Sequence, residues 1–147
     1  MNLNFNLPFL PERPEKPREN GLTMMMDKGL SLAETVNFCS SSAYYTDLVK
    51  FGFGTSIISP NVAEKIAVYK EANLKVYFGG TLFEAFIIRN MFDDYRRYLD
   101  KFKVEYVEVS DGTMEMPHNE KLEYIHKLSK DYTVLSEVGS KLAGRII

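Results

Sequence analysis

Five short apolar runs recur along the chain, and segments of helical periodicity separate them. The runs are Gly21–Asp27, Tyr45–Gly52, Leu74–Gly80, the stretch VEYVEVSDG, and Tyr132–Gly139. Between them the spacing predicts helices over Ser31–Ser42, Asn61–Ala72, Thr81–Phe102 (as one piece or two) and Asn119–Lys130. Ser31 with Glu34 three residues on makes a capping-box pattern, and Pro60 precedes the second helix. The second and last helices repeat one apolar face: Val62, Ile66 and Tyr69 in one, Leu122, Ile125 and Leu128 in the other. Strand alternating with helix is the order of a parallel α/β sheet. Two architectures satisfy it, a doubly wound open sheet and a (β/α)8 barrel. Neither G-x-G-x-x-G nor a P-loop motif is present, which weakens dinucleotide and nucleotide readings.

The segment before the first run, LPFLPERPEKPR, holds four of the six prolines. Proline fixes φ and removes an amide donor, so residues 1–18 read as an extended Pro-rich arm and 19–147 as the α/β domain. A net charge of -2 gives no basic footprint for nucleic acid. The single cysteine, Cys39, excludes an internal disulfide framework and suits a reducing cytoplasm. No apolar run approaches a membrane span, and the N-terminus has no signal-peptide pattern.

The polar residues follow the strands. One face of each run carries Thr23, Met25 and Asp27; Thr46, Leu48 and Lys50; Lys75, Tyr77 and Gly79; Tyr106, Glu108 and Ser110; Thr133, Leu135 and Glu137. The other face carries Met24 and Met26, Val49 and Phe51, Val76 and Phe78, Val107 and Val109, and Val134, suited to burial under helices. In a barrel the uncovered face points inward and its C-terminal rim carries the chemistry. Asp27, Lys50, Glu108, Ser110, Asp111 and Glu137 are therefore expected to converge. Such a rim suits Mg²⁺, which takes oxygen ligands, and an anionic substrate. The competing reading is structural. Asp and Ser after a strand also form turns and caps, and Lys50 and Glu108 also suit a buried ion pair. His118 and His126, the Asp93–Arg97 run, the Met24–Met26 run and Cys39 read as ordinary helix, surface and packing residues.

KPRENGLTMMMDKGLS, DLVKFGFGTS, VYFGGTLFEAF, VEVSDG and VLSEVGSK, in this order, resemble the phosphosulfolactate synthase family, from about Lys16 to Lys141. The resemblance implies a (β/α)8 barrel, here its first five β/α units, that adds sulfite to phosphoenolpyruvate with Mg²⁺ through an ene-diolate. In methanogens that is an early step towards coenzyme M. It further implies Lys141 as proton donor, Lys50 as a second catalytic lysine that orients the anionic substrate, and Glu108, Asp111 and Glu137 as metal ligands. Asp27, Lys28, Gly79, Gly80, Glu84 and Ser110 are implied to hold the substrate, the two glycines through their backbone amides. Two alternatives stand beside this lyase: enolate chemistry on another phosphorylated small acid, and a non-catalytic or truncated relative. The chain departs from the family in three ways. Phe53 replaces a frequent tryptophan, Ser140 replaces a lysine of methanogen members, and 147 residues fall short of the roughly 250 of a barrel. Either a C-terminal part or a second copy is expected to complete the structure.

Overall fold

The computed structural model describes residues 4, 5, 7–139 and 141. Among the described residues strands and α-helices follow the expected order, with short 3-10 turns at Ala43–Tyr45 and Thr55–Ile57: β1 (Met24–Asp27), α1 (Leu32–Ser42), β2 (Leu48–Phe51), α2 (Val62–Glu71), β3 (Lys75–Phe78), α3 (Gly80–Ile87), α4 (Phe92–Phe102), β4 (Tyr106–Val109), α5 (His118–Leu128) and β5 (Thr133–Ser136). Each strand is four residues, shorter than its apolar run. The expected third helix divides into α3 and α4 around Asn90, whose φ of 56° is left-handed. Asparagine tolerates that conformation because its short polar side chain bonds locally. Ser31 caps α1 in a complete capping box with Glu34.

All strands are parallel and lie in the order β1-β2-β3-β4-β5. The core lies on one face of this sheet. Val49, Phe51, Val76, Phe78, Val107 and Val109 meet Ile66 and Tyr69 of α2, Leu82 and Phe83 of α3, Leu99 of α4 and Leu128 of α5 in one buried cluster. Sequential order with the helix core on a single face is barrel winding, and it removes the doubly wound alternative. Among the described residues β1 and β5 each pair with one neighbour only.

Strands β2 to β5 present the faces expected of them. Strand β1 does not. Its register sets Met25 beside Val49 and Asp27 beside Phe51, so Asp27 lies on the helix-covered face, and Met26 lies beside Lys50 on the other. In α5, Ile125 and Leu128 pack against the core as expected, but Leu122 is exposed and Lys121 takes the buried position beside it.

The proline-rich arm is tied to the N-terminal ends of β1 and β2. Asp47, just before β2, accepts from the Arg18 guanidinium at 2.8 Å, the Arg13 guanidinium at 3.1 Å and the Thr23 amide at 2.8 Å. One buried carboxylate thereby meets two arginines and one strand start, which satisfies its charge and fixes the arm's path.

Candidate active site

The C-terminal ends of β2, β4 and β5 bring four charged residues into a line on the face away from the helices. Lys50 projects from β2, with its Nζ 2.7 Å from Glu108 Oε1 and 3.6 Å from Glu137 Oε2. Lys141 Nζ stands 3.0 Å from Glu137 Oε1. The charges alternate from half-exposed Lys141 inward to buried Glu108. Lys50 and Glu108 thus form the ion pair that the structural reading expected. Burial does not by itself make such a pair stabilising, because desolvation offsets attraction. Here Glu108 gains a further donor, the Gly80 amide, at 2.7 Å.

Glycine is required where the α3 start meets this line. A Cβ on Gly79 would lie 2.7 Å from Lys50 Cε, and one on Gly80 would lie 2.2 Å from Ser110 Oγ. The two glycine amides are taken up within the protein, and the anion that meets Gly80 is the Glu108 carboxylate. The Gly79 amide bonds to the Phe51 carbonyl at 2.9 Å and the Gly80 amide to Glu108. Their role here is to admit the lysine and the serine.

Partial burial pushes the Glu137 carboxyl up. The hydrogen bond and charge of Lys141, the charge of Lys50 and a hydrogen bond with Glu108 outweigh it and hold the group below its ordinary value. Tyr77 lies beside Lys50 in the sheet register and is buried. Burial first, and then the charges of Glu108 and Glu137, push its hydroxyl well above the ordinary tyrosine range, so it stays a neutral O–H donor.

The other expected residues are placed elsewhere. Asp27 is fully buried under α2, where Lys65 Nζ is 2.7 Å from Oδ2 and the Tyr69 hydroxyl donates at 2.8 Å. Its other oxygen accepts from the Gly29 and Leu30 amides at 2.8 and 2.9 Å. Asp27 therefore orders the loop after β1 from the helix-covered side of the sheet. Lys28 is exposed on that loop, 5.7 Å over the ring of Phe53. Glu84 is buried in α3 and receives donors from the loop after β4: the Ser110 and Thr113 hydroxyls, the Gly112 amide at 3.1 Å and the Thr113 amide at 2.8 Å. Glu84 and Ser110, expected at the substrate, instead hold each other beneath that loop. Asp111 turns to Lys121 at 2.6 Å. Ser140 lies outside the described residues.

The loops after β4 and β5 are pinned together. The Glu137 amide bonds to the Val109 carbonyl at 3.0 Å, and the Lys141 amide to the Gly112 carbonyl at 2.7 Å. Sequence reasoning missed Lys121, Lys65, Thr113 and the site role of Tyr77. A cavity of about 790 Å³ opens at the opposite, N-terminal end of the strands, between Arg18, Asp47, Lys75 and Tyr106. It does not include the charged line.

Among the described residues no group of three or more His, Cys, Asp or Glu is placed to hold a metal. The expected set of Glu108, Asp111 and Glu137 is thus not assembled, and Asp111 is paired with Lys121. Glu108 and Glu137 do converge on one cationic point, the Lys50 ammonium. Magnesium usually takes one or two protein carboxylates plus water and substrate oxygens. The pair fits that chemistry on condition that Lys50 moves off the point it fills.

No helix among the described residues is long and apolar enough to cross a membrane. The family described as (2R)-phospho-3-sulfolactate synthase (ComA) matches residues 11–145. The chain is 42% identical over 132 residues to the phosphosulfolactate synthase of Bacillus subtilis (strain 168), covering 90% of this chain and 52% of that protein. It is 37% identical over 134 residues to the phosphosulfolactate synthase of Methanothermobacter thermautotrophicus, covering 89% and 52%. It is 40% identical over 128 residues to that of Methanocaldococcus jannaschii, covering 84% and 51%. The chain spans about half the length of the curated relatives it matches. A match of that extent, on a parallel sheet wound in sequence under one layer of helices, makes this chain a member of the phosphosulfolactate synthase family.

Proposed function

We propose that the rim formed by Lys50, Glu108, Glu137 and Lys141 serves a lyase of the phosphosulfolactate synthase type, adding sulfite to phosphoenolpyruvate with Mg²⁺ in the cytoplasm. The observation that carries this reading is the alternating line of charges across β2, β4 and β5. Sulfite attack on the methylene carbon drives electron density into the substrate carboxylate as an ene-diolate, and C2 then takes a proton. Lys141, half-exposed at the outer end of the line, is the donor, and Glu137 holds its ammonium toward the rim. Lys50 neutralises and orients the anionic substrate, and Tyr77 offers a neutral O–H beside it. Glu108 and Glu137 are the residues that would hold Mg²⁺, whose charge, when bound, favours the electron-rich form of the substrate carboxylate. Lys28 on the neighbouring loop is a second cation for the substrate, and the assembly is a homo-oligomer.

The test is sulfite-dependent consumption of phosphoenolpyruvate by this chain. Activity is expected to disappear with EDTA and to fall by about 10²–10⁴-fold in Lys141→Ala, the usual worth of a positioned proton donor. Consumption that ignores sulfite would move the reading to enolate chemistry on another acid. Calorimetry with Mg²⁺ alone checks the carboxylates separately: Glu108→Gln should abolish the binding heat. A Glu108→Gln protein that loses stability and keeps its Mg²⁺ affinity leaves Glu108 as an ion-pair partner only.

A further inference from the structure

Helix α5 carries a lysine where helix chemistry disfavours one. Lys121 is the fourth residue of α5, and its side chain is 9% exposed. Positive charge near a helix N-terminus meets the positive end of the backbone dipole. A buried ammonium is costly unless it is paired and bonded. Two acceptors meet it: Nζ lies 2.6 Å from Asp111 Oδ1 and donates across 2.6 Å to the backbone carbonyl of Glu137. These acceptors belong to different loops, one after β4 and one after β5. The residue whose carbonyl is held is also the one whose carboxylate stands between Lys50 and Lys141.

We propose that Lys121 is a positioning residue, locking the β4 and β5 rim loops together so that Glu137 stays between the two lysines. The charge is essential to this role, since a neutral stem of the same length packs equally well but bonds neither acceptor. The proposal draws its meaning for catalysis from the reading above and rests on it there, but its test requires no substrate.

The measurement is amide hydrogen exchange in the whole chain, comparing wild type with Lys121→Met, Lys121→Arg and Asp111→Asn. The reporters are the amides of Glu137 and Lys141, which bond from the loop after β5 to Val109 at the end of β4 and to Gly112 in the loop after it. Amides of β2 and β3 report global stability. In Lys121→Met the two rim amides are expected to exchange at least about tenfold faster relative to the β2 and β3 amides, the worth of a hydrogen bond to a charged group. Lys121→Arg should recover part of the protection, and Asp111→Asn, which keeps the acceptor oxygen but removes its charge and so weakens one end of the tie, should lose part of it. If Lys121→Met does not fold, Asp111→Asn carries the test. Rim amides unchanged in the variants, or accelerated only as much as the sheet amides, would overturn the proposal. Accelerated rim amides in a chain without sulfite-dependent activity would leave the tie standing and remove the proposed reaction instead.

Discussion

Asp27 shows how a single residue misleads from sequence and informs from structure. A carboxylate at the end of an apolar strand reads as a rim group, and three consecutive methionines before it leave the strand's phase unmarked. Its charge is instead met from the helix layer by Lys65 and the Tyr69 hydroxyl. Removing one partner of a buried pair leaves the other uncompensated. Lys65→Met is therefore expected to destabilise the chain by about 3–5 kcal/mol, read by urea unfolding. The pH dependence has a definite sign. Burial raises the Asp27 carboxyl, but Lys65, the Gly29 and Leu30 amides and Tyr69 bring it below its ordinary 3.8. A depressed folded value means the unfolded chain binds protons first, so this stability is complete above the ordinary value and is lost as pH falls through the folded one. Asp27→Asn should flatten the acid limb of a stability–pH curve measured by urea unfolding; an unchanged limb would show that Asp27 does not control it. By contrast, Lys50, Glu108 and Glu137 were legible as a rim set because strands β2, β4 and β5 alternate without ambiguity.

At the scale of elements, legibility depended on how sharply the apolar pattern set a phase. In α2, Val62, Ile66 and Tyr69 marked the buried face, and all three are buried. In α5, Ile125 and Leu128 pack against the core as expected, but Leu122 does not, and the buried position beside it is Lys121. Lys121 was hidden, since a lysine is not counted when an apolar face is sought. Glu84 was visible in sequence but its partners were not, because the loop it serves lies 26 residues and more downstream. The structure gives α3 a task beyond packing. Its Glu84 collects the donors of the loop after β4, and its Gly80 amide holds Glu108. Glu84→Gln keeps the shape but replaces one acceptor with an amide donor that faces other donors. A cost of about 1–3 kcal/mol is expected, with faster exchange at the Gly112 and Thr113 amides before any change in the core strands. Uniform acceleration across the chain would show that Glu84 supports the whole domain and not this loop.

The whole molecule poses the question of its edges. Parallel strands in sequential order, with helices over one face, build a surface that in a closed barrel has no free edge. Here β1 and β5 end the sheet among the described residues, and β1 presents Met24 at 41% exposure. The uncovered face also carries Leu48, Tyr106 and Leu135, all only partly buried. Unpaired strand edges offer rows of amides and carbonyls to another chain, and an apolar face beside them adds a reason to associate. The Pro-rich arm does not solve this, because its bonds go to the N-terminal ends of β1 and β2 and to the turn before β2. We therefore expect the chain to associate with itself when it is alone in solution. Light scattering coupled to size exclusion should give a mass above the 16.9 kDa of one chain, falling on dilution. A lysine placed at Leu48 or Leu135 on the uncovered face should weaken that association, because charged side chains on an exposed sheet oppose edge and face pairing. A compact monomer at every concentration would show that one copy protects its own edges, and would remove self-completion as the way this sheet is finished.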